Sequence, residues 1–116
     1  MEIIRQNREM TSRELYSMVR SPEIGRVKDH PGEEFEVKDF VIFEDINTST
    51  GEVVQILSIK MASGEVLATN SKTFISSFIS IDEMCKEAGE PIGLIRIFQG
   101  KSKAGRDFFD CVLCYS

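Results

Sequence analysis

The chain has 116 residues, 41% of them hydrophobic, which is enough for a single domain to bury a core without disulfides or metals. Its 19 acidic and 14 basic residues leave a formal net charge of -5. That excludes a protein that holds polyanions by bulk charge, because non-specific nucleic-acid affinity comes mainly from Lys and Arg neutralising phosphates. Taken in chain order, Met1 to Asn7 show no clear period and read as an arm. "TSRE", Thr11 to Glu14, has the form of a capping box, and a short helix over Ser12 to Arg20 follows, with Leu15, Met18 and Val19 at helical spacing until Ser21 and Pro22 interrupt it. "HPGEE" reads as a turn. From Phe35 the period becomes two, which would put Val37, Asp39, Val41 and Phe43 on one face of a strand and Lys38, Phe40, Ile42 and Glu44 on the other.

"EDINTSTGE" is a loop, "VVQILSIKM" a second strand and "VLAT" a third, reached through "ASGE". Asn70 or Ser71 then N-caps a helix whose apolar stripe is Phe74, Ile75, Phe78 and Ile79. A second capping box, "SIDE", restarts or continues it to Ala88, before Gly89 and Pro91. "IGLIRIFQ" and "DFFDCVLCY" are two closing strands joined by "GKSKAGR". The order of three strands, one helix and two strands is that of a five-stranded OB β-barrel with a helix between strands three and four. The expected organisation is a single domain. Residues 1–34 would form an N-terminal arm and helical extension packed on the barrel, and residues 35–116 the barrel itself.

The segment "FQGKSKAGRDFFDC" places Lys101, Lys103 and Arg106 between Phe98 and the pair Phe108 and Phe109. Cations that follow a phosphate backbone beside rings that stack on bases are how OB folds hold single strands. Along the preceding strand Arg96 and Phe98 share a face with Ile92 and Leu94, while Ile95 and Ile97 take the other, so a mixed platform and an apolar core face are expected. Phe108 and Phe109 are adjacent and must point to opposite sides, leaving open which of them is core. Phe40 is a further candidate for stacking, and Lys60 on the second strand for extending the cationic track. The same loop also reads as a plain soluble hairpin turn, in which Gly105 supplies a positive φ.

Three segments, "TGEVVQILSI", "GEVLATNSKTFISSF" and "GKSKAGRDFFDC", resemble in order and spacing the small single-stranded DNA-binding proteins of bacteriophages and integrative elements of Gram-positive gut bacteria. The resemblance covers most of the chain from about Ser21 onward. It implies an OB-type fold and a role in protecting or organising single-stranded DNA during replication or transfer of a phage or mobile element.

"ATNSKTFISSF" lacks the glycines of a phosphate cradle and reads as ordinary helix capping. The three cysteines, Cys85, Cys111 and Cys114, read as free thiols of a reducing compartment. The CxxC pair of Cys111 and Cys114 would face opposite sides of a strand, unsuited to zinc or to redox exchange. His30 sits in a turn with no evident catalytic partner. The expectation is therefore a non-enzymatic protein without metal or cofactor. No run approaches the roughly 18 apolar residues of a membrane helix, and "MEIIRQNREMTSRE" lacks a signal's apolar segment, so a cytoplasmic, membrane-free location is expected. The reading is a binder of single-stranded DNA with little sequence preference, with Phe40, Lys60, Arg96, Phe98, Lys101, Lys103, Arg106 and Phe108 as its contact residues and a homodimer as one possible assembly. The rival is a protein-interaction module whose aromatic and arginine face meets a replication or conjugation partner, a reading that the acidity of the chain favours.

Overall fold

The computed structural model describes residues 1–115. An N-terminal strand β1 (Glu2–Gln6) leads to helix α1 (Ser12–Val19), a two-residue strand β2 (Gly25–Arg26) and a 3-10 turn (Val27–Asp29). Three longer strands follow, β3 (Glu34–Ile46), β4 (Val53–Met61) and β5 (Val66–Thr69), then helix α2 (Lys72–Ala88) and the hairpin of β6 (Leu94–Lys101) and β7 (Asp107–Leu113). All strands belong to one strongly curled half-barrel sheet in the order β2-β5-β4-β3-β6-β7, with β1 alongside β3. The expected β-barrel character is therefore present. No helix among the described residues is long and apolar enough to cross a membrane.

The hollow of the sheet is filled by one core. Phe35, Phe40 and Ile42 of β3, Leu57, Ile59 and Met61 of β4, Ile95 and Ile97 of β6 and Cys111 of β7 converge on Phe74, Ile75 and Phe78 of α2. Helix α2 runs unbroken through "SIDE". Its Ser71 N-cap accepts from the Phe74 amide at 3.2 Å, which leaves the stripe Phe74, Ile75 and Phe78 free to enter the barrel. Asp82 on the same helix is buried, yet it receives Arg5 Nη1 at 3.1 Å and Lys86 Nζ at 3.3 Å, so its charge is paired.

A second, smaller core lies on the outer side of the sheet. There Leu15, Met18 and Val19 of α1 cover Val41 and Phe43 of β3, Ile56 of β4 and Val66 of β5. The capping box of α1 is complete, since Thr11 Oγ1 accepts from the Glu14 amide at 3.2 Å and Glu14 Oε1 from the Thr11 amide at 3.0 Å.

Two expectations change. Residues Glu2 to Gln6 are not a loose arm: they form β1, antiparallel to Val41–Glu44 of β3. The reason lies in β3, whose first residues Glu34–Glu36 pair with β6 and whose later residues are free on that side until β1 fills the edge. The alternation of β3 is also broken. Val37 pairs with Met61 and Asp39 with Lys60, so Lys38 is an extra residue. Such a bulge moves every later side chain to the opposite face, and Val37 therefore joins Phe40 and Ile42 inside while Asp39 and Val41 point outward.

Candidate nucleic-acid interface

The outer face of the β6–β7 hairpin is left uncovered by either helix, and the alternation of β6 decides what it displays. Ile95 and Ile97 are fully buried, whereas Leu94, Arg96 and Phe98 stand outward, Phe98 at 43% exposure. Antiparallel pairing sets Val112 opposite Arg96, Asp110 opposite Phe98 and Phe108 opposite Gly100, so these residues share that face. Phe109 and Leu113 point the other way and pack on the core. The two phenylalanines are thus separated by direction, Phe109 packing against the core side and Phe108 turning to the outer face, both of them half-buried.

Phe98 and Phe108 lie diagonally across the hairpin with ring centroids 6.3 Å apart and planes inclined by 54°. What makes room for them is Gly100. A Cβ there would come within 2.6 Å of Phe108 Cζ and 3.0 Å of Phe98 Cε1, so both rings lie over bare backbone. The connecting turn holds Gly105 at φ 79°, closed by the Gly105 amide on the Ser102 carbonyl at 2.9 Å and by the Ser102 amide on the Arg106 carbonyl at 2.8 Å. Lys103 and Arg106 are exposed in this turn and make no ion pair among the described residues. Lys101 is different, because its Nζ lies 3.7 Å from Asp107 Oδ1 and part of its charge is already answered. Asp110 turns an oxygen back onto the Cys111 amide at 2.8 Å, and Glu34 registers opposite Arg96. Carboxylates therefore border the rings on two sides, and the most positive ground is the turn.

Of the residues expected at the site, Arg96, Phe98, Lys101, Lys103, Arg106 and Phe108 come together on this hairpin. Phe40 does not. It is fully buried, and its ring meets the edge of Phe78 at 4.8 Å between centroids, because the bulge at Lys38 turns it inward. Lys60 is also elsewhere, opposite Asp39 and in a cleft beside Ser17 and Ser21 of the α1 segment with Glu23 and Glu65.

The thiols have little nucleophilic character. Burial pushes Cys111 up to about 12, with Asp110 adding to the effect. Desolvation and then Glu34, whose Oε2 is 3.6 Å away, raise Cys114. No group of three or more His, Cys, Asp or Glu placed to hold a metal ion occurs among the described residues. No family model, curated protein or solved structure matches this chain.

Proposed function

We propose that the protein is a non-enzymatic OB-type module that binds single-stranded DNA with little sequence preference. The OB reading is supported by connectivity: β3 pairs with both β4 and β6, β4 with β5, and β6 with β7, while α2 enters the barrel between β5 and β6. The observation that carries the function is the pair of rings over Gly100, exposed beside a turn whose Lys103 and Arg106 lack ion-pair partners among the described residues. Every base has a π-face, so two rings on an open strand surface accept bases without reading their edges. Replication or transfer of a phage or mobile element is the setting that the resemblance implies.

A second reading is a protein-interaction face, favoured by Leu94, which is 42% exposed on the same face beyond Arg96. Salt separates the two. Anisotropy titrations with oligo-dT at several ionic strengths should show affinity falling steeply with salt and exceeding that for duplex of equal length. Equal affinity for both forms, or no binding at low salt, removes the single-strand reading.

A further inference from the structure

β7 ends the sheet on one side and β2, paired with β5, ends it on the other; no strand ladder closes the half-barrel between them among the described residues, and the Ser71 hydroxyl reaches across to the Phe109 carbonyl at 3.5 Å. A cleft of about 400 Å3 opens there, within the range of roughly 300 to 1,000 Å3 usual for small-molecule sites. Its apolar surface comes from Ile56, Ala68 and Phe109, its charge from Arg26 and Lys28, and its free amide from Asn70.

Three features set this cleft apart. First, its charge is one-sided. Four other clefts each contain carboxylates: Glu52 in one, Asp82 and Glu90 in the next, Glu23 and Glu65 in a third, and Glu2, Glu44 and Asp45 in the last. The seam cleft has none, although the chain carries a net charge of -5. Second, Arg26 and Lys28 are exposed and, like Lys103 and Arg106 of the hairpin turn, make no ion pair among the described residues, so their charge is unanswered. Third, the Ser71 hydroxyl at its rim is committed, accepting from the Phe74 amide at 3.2 Å and donating to the Phe109 carbonyl at 3.5 Å, and Thr69 accepts from the Ser71 amide at 3.1 Å, while the Asn70 amide makes no hydrogen bond among the described residues. An apolar wall, an unused amide and two unanswered cations match a planar base, its polar edge and a phosphate.

We infer that this seam cleft takes one nucleotide unit, its base against Phe109, Ile56 and Ala68, its base edge at Asn70 and its phosphate at Arg26 and Lys28. The inference deepens the single-strand reading and rests on it for the source of the nucleotide. Phe108 and Phe109 are consecutive, so a strand lying on the Phe98 and Phe108 rings has only to pass over the free edge of β7 to reach the cleft. The sequence shows no trace of this, since Arg26, Asn70 and Phe109 meet only when the barrel curls.

The test is an amide NMR titration with thymidine 5′-monophosphate and with thymidine, run on the parent, on Arg26→Ser/Lys28→Ser and on Phe98→Ala. The monophosphate should perturb the amides of Ala68, Thr69, Asn70, Ser71 and Phe109. Thymidine, and the monophosphate on the double variant, should be weaker by at least about tenfold, as expected when one charge-assisted hydrogen bond is removed. Phe98→Ala should leave these perturbations unchanged. Perturbations confined to the hairpin face, none at all, or an unaltered response in the double variant would overturn the cleft. A parallel titration with oligo-dT separates the two levels: if the mononucleotide fills the cleft but oligo-dT does not bind, the cleft stands and the single-strand function falls.

Discussion

Phe98 and Phe108 owe their exposure to a residue with no side chain, because any Cβ at position 100 occupies the space of both rings. Gly100→Ala should therefore swing the half-exposed Phe108 ring aside while the buried Ile97 and Cys111 keep their places. Oligo-dT affinity should fall and the melting temperature should hardly move, which anisotropy and calorimetry together can check. Phe98→Ala tests the same platform directly: loss of one stacking surface is expected to cost about 1 to 3 kcal/mol of binding. Phe40→Ala should behave in the opposite way, destabilising the fold by about 3 to 5 kcal/mol because it empties a fully buried ring site against Phe78. If Phe40→Ala leaves denaturant midpoints unchanged, the assignment of that ring to the core is wrong. The contrast shows what was legible at this scale. In β6 the alternation runs uninterrupted from Leu94 to Phe98 and those side chains are found on the faces expected, whereas Ile92, expected on the outer face, precedes the strand and packs against the core. In β3 one extra residue at Lys38 inverts the pattern, and "EVKDFVIFED" contains neither glycine nor proline to mark the place.

At the scale of elements, the N-terminal segment is held by charge as much as by packing. Arg8 Nε reaches Asp39 Oδ1 at 2.9 Å and its Nη2 reaches Asp39 Oδ2 at 3.1 Å, with Glu14 on the same guanidinium and Asn7 Nδ2 on Asp39 Oδ1 at 3.1 Å. Hydrogen bonding to Arg8 is the main cause that lowers Asp39, and Arg8 followed by the Thr11 amide takes Glu14 from 4.5 down to about 2. Both carboxyls are depressed in the folded state, so the stability they contribute is fully present above their ordinary values. It is lost as pH falls through the folded ones. For Glu14 that window runs from 4.5 down to about 2. Hydrogen exchange should accordingly show the amides of α1 losing protection in this window before those of β4 and β6, and Arg8→Ala should produce the same loosening at neutral pH. Simultaneous loss of protection in α1 and the barrel would mean that the latch does not act separately. The helix itself was legible from "TSRE" and from Leu15, Met18 and Val19, all of which pack as their spacing indicates. Strand β1 was not, because five residues with no internal period become a strand only through the edge that β3 offers them.

Across the whole molecule, the order of three strands, a helix and a hairpin could be read from turn residues and periodicity, but the seam, its cleft and the cover that α1 lays over the β3–β5 face arise only from long-range pairing. That cover matters for function. With Val41, Phe43 and Val66 on the outer face of β3 to β5 covered by α1, the hairpin face stays open and the seam cleft lies beside it. The molecule's negative charge repels a phosphate chain at long range, so attraction must come from the few unpaired cations near the rings. Of the three in the turn, Lys101 is partly neutralised by Asp107, and the effect should be concentrated in Lys103 and Arg106. Lys103→Ser/Arg106→Ser should leave the fold intact, since both side chains are exposed in a turn closed by backbone bonds. It should weaken binding to all single-strand sequences alike and flatten the slope of log affinity against log salt by about 1.4, at ~0.7 for each phosphate that is no longer neutralised. Adding Lys101→Ser should change the slope by less than either of the others. An unaltered slope in the double variant, with oligo-dT held as tightly as by the parent, would reduce "KSKAGR" to a soluble turn and leave the rings and the seam cleft to account for binding alone.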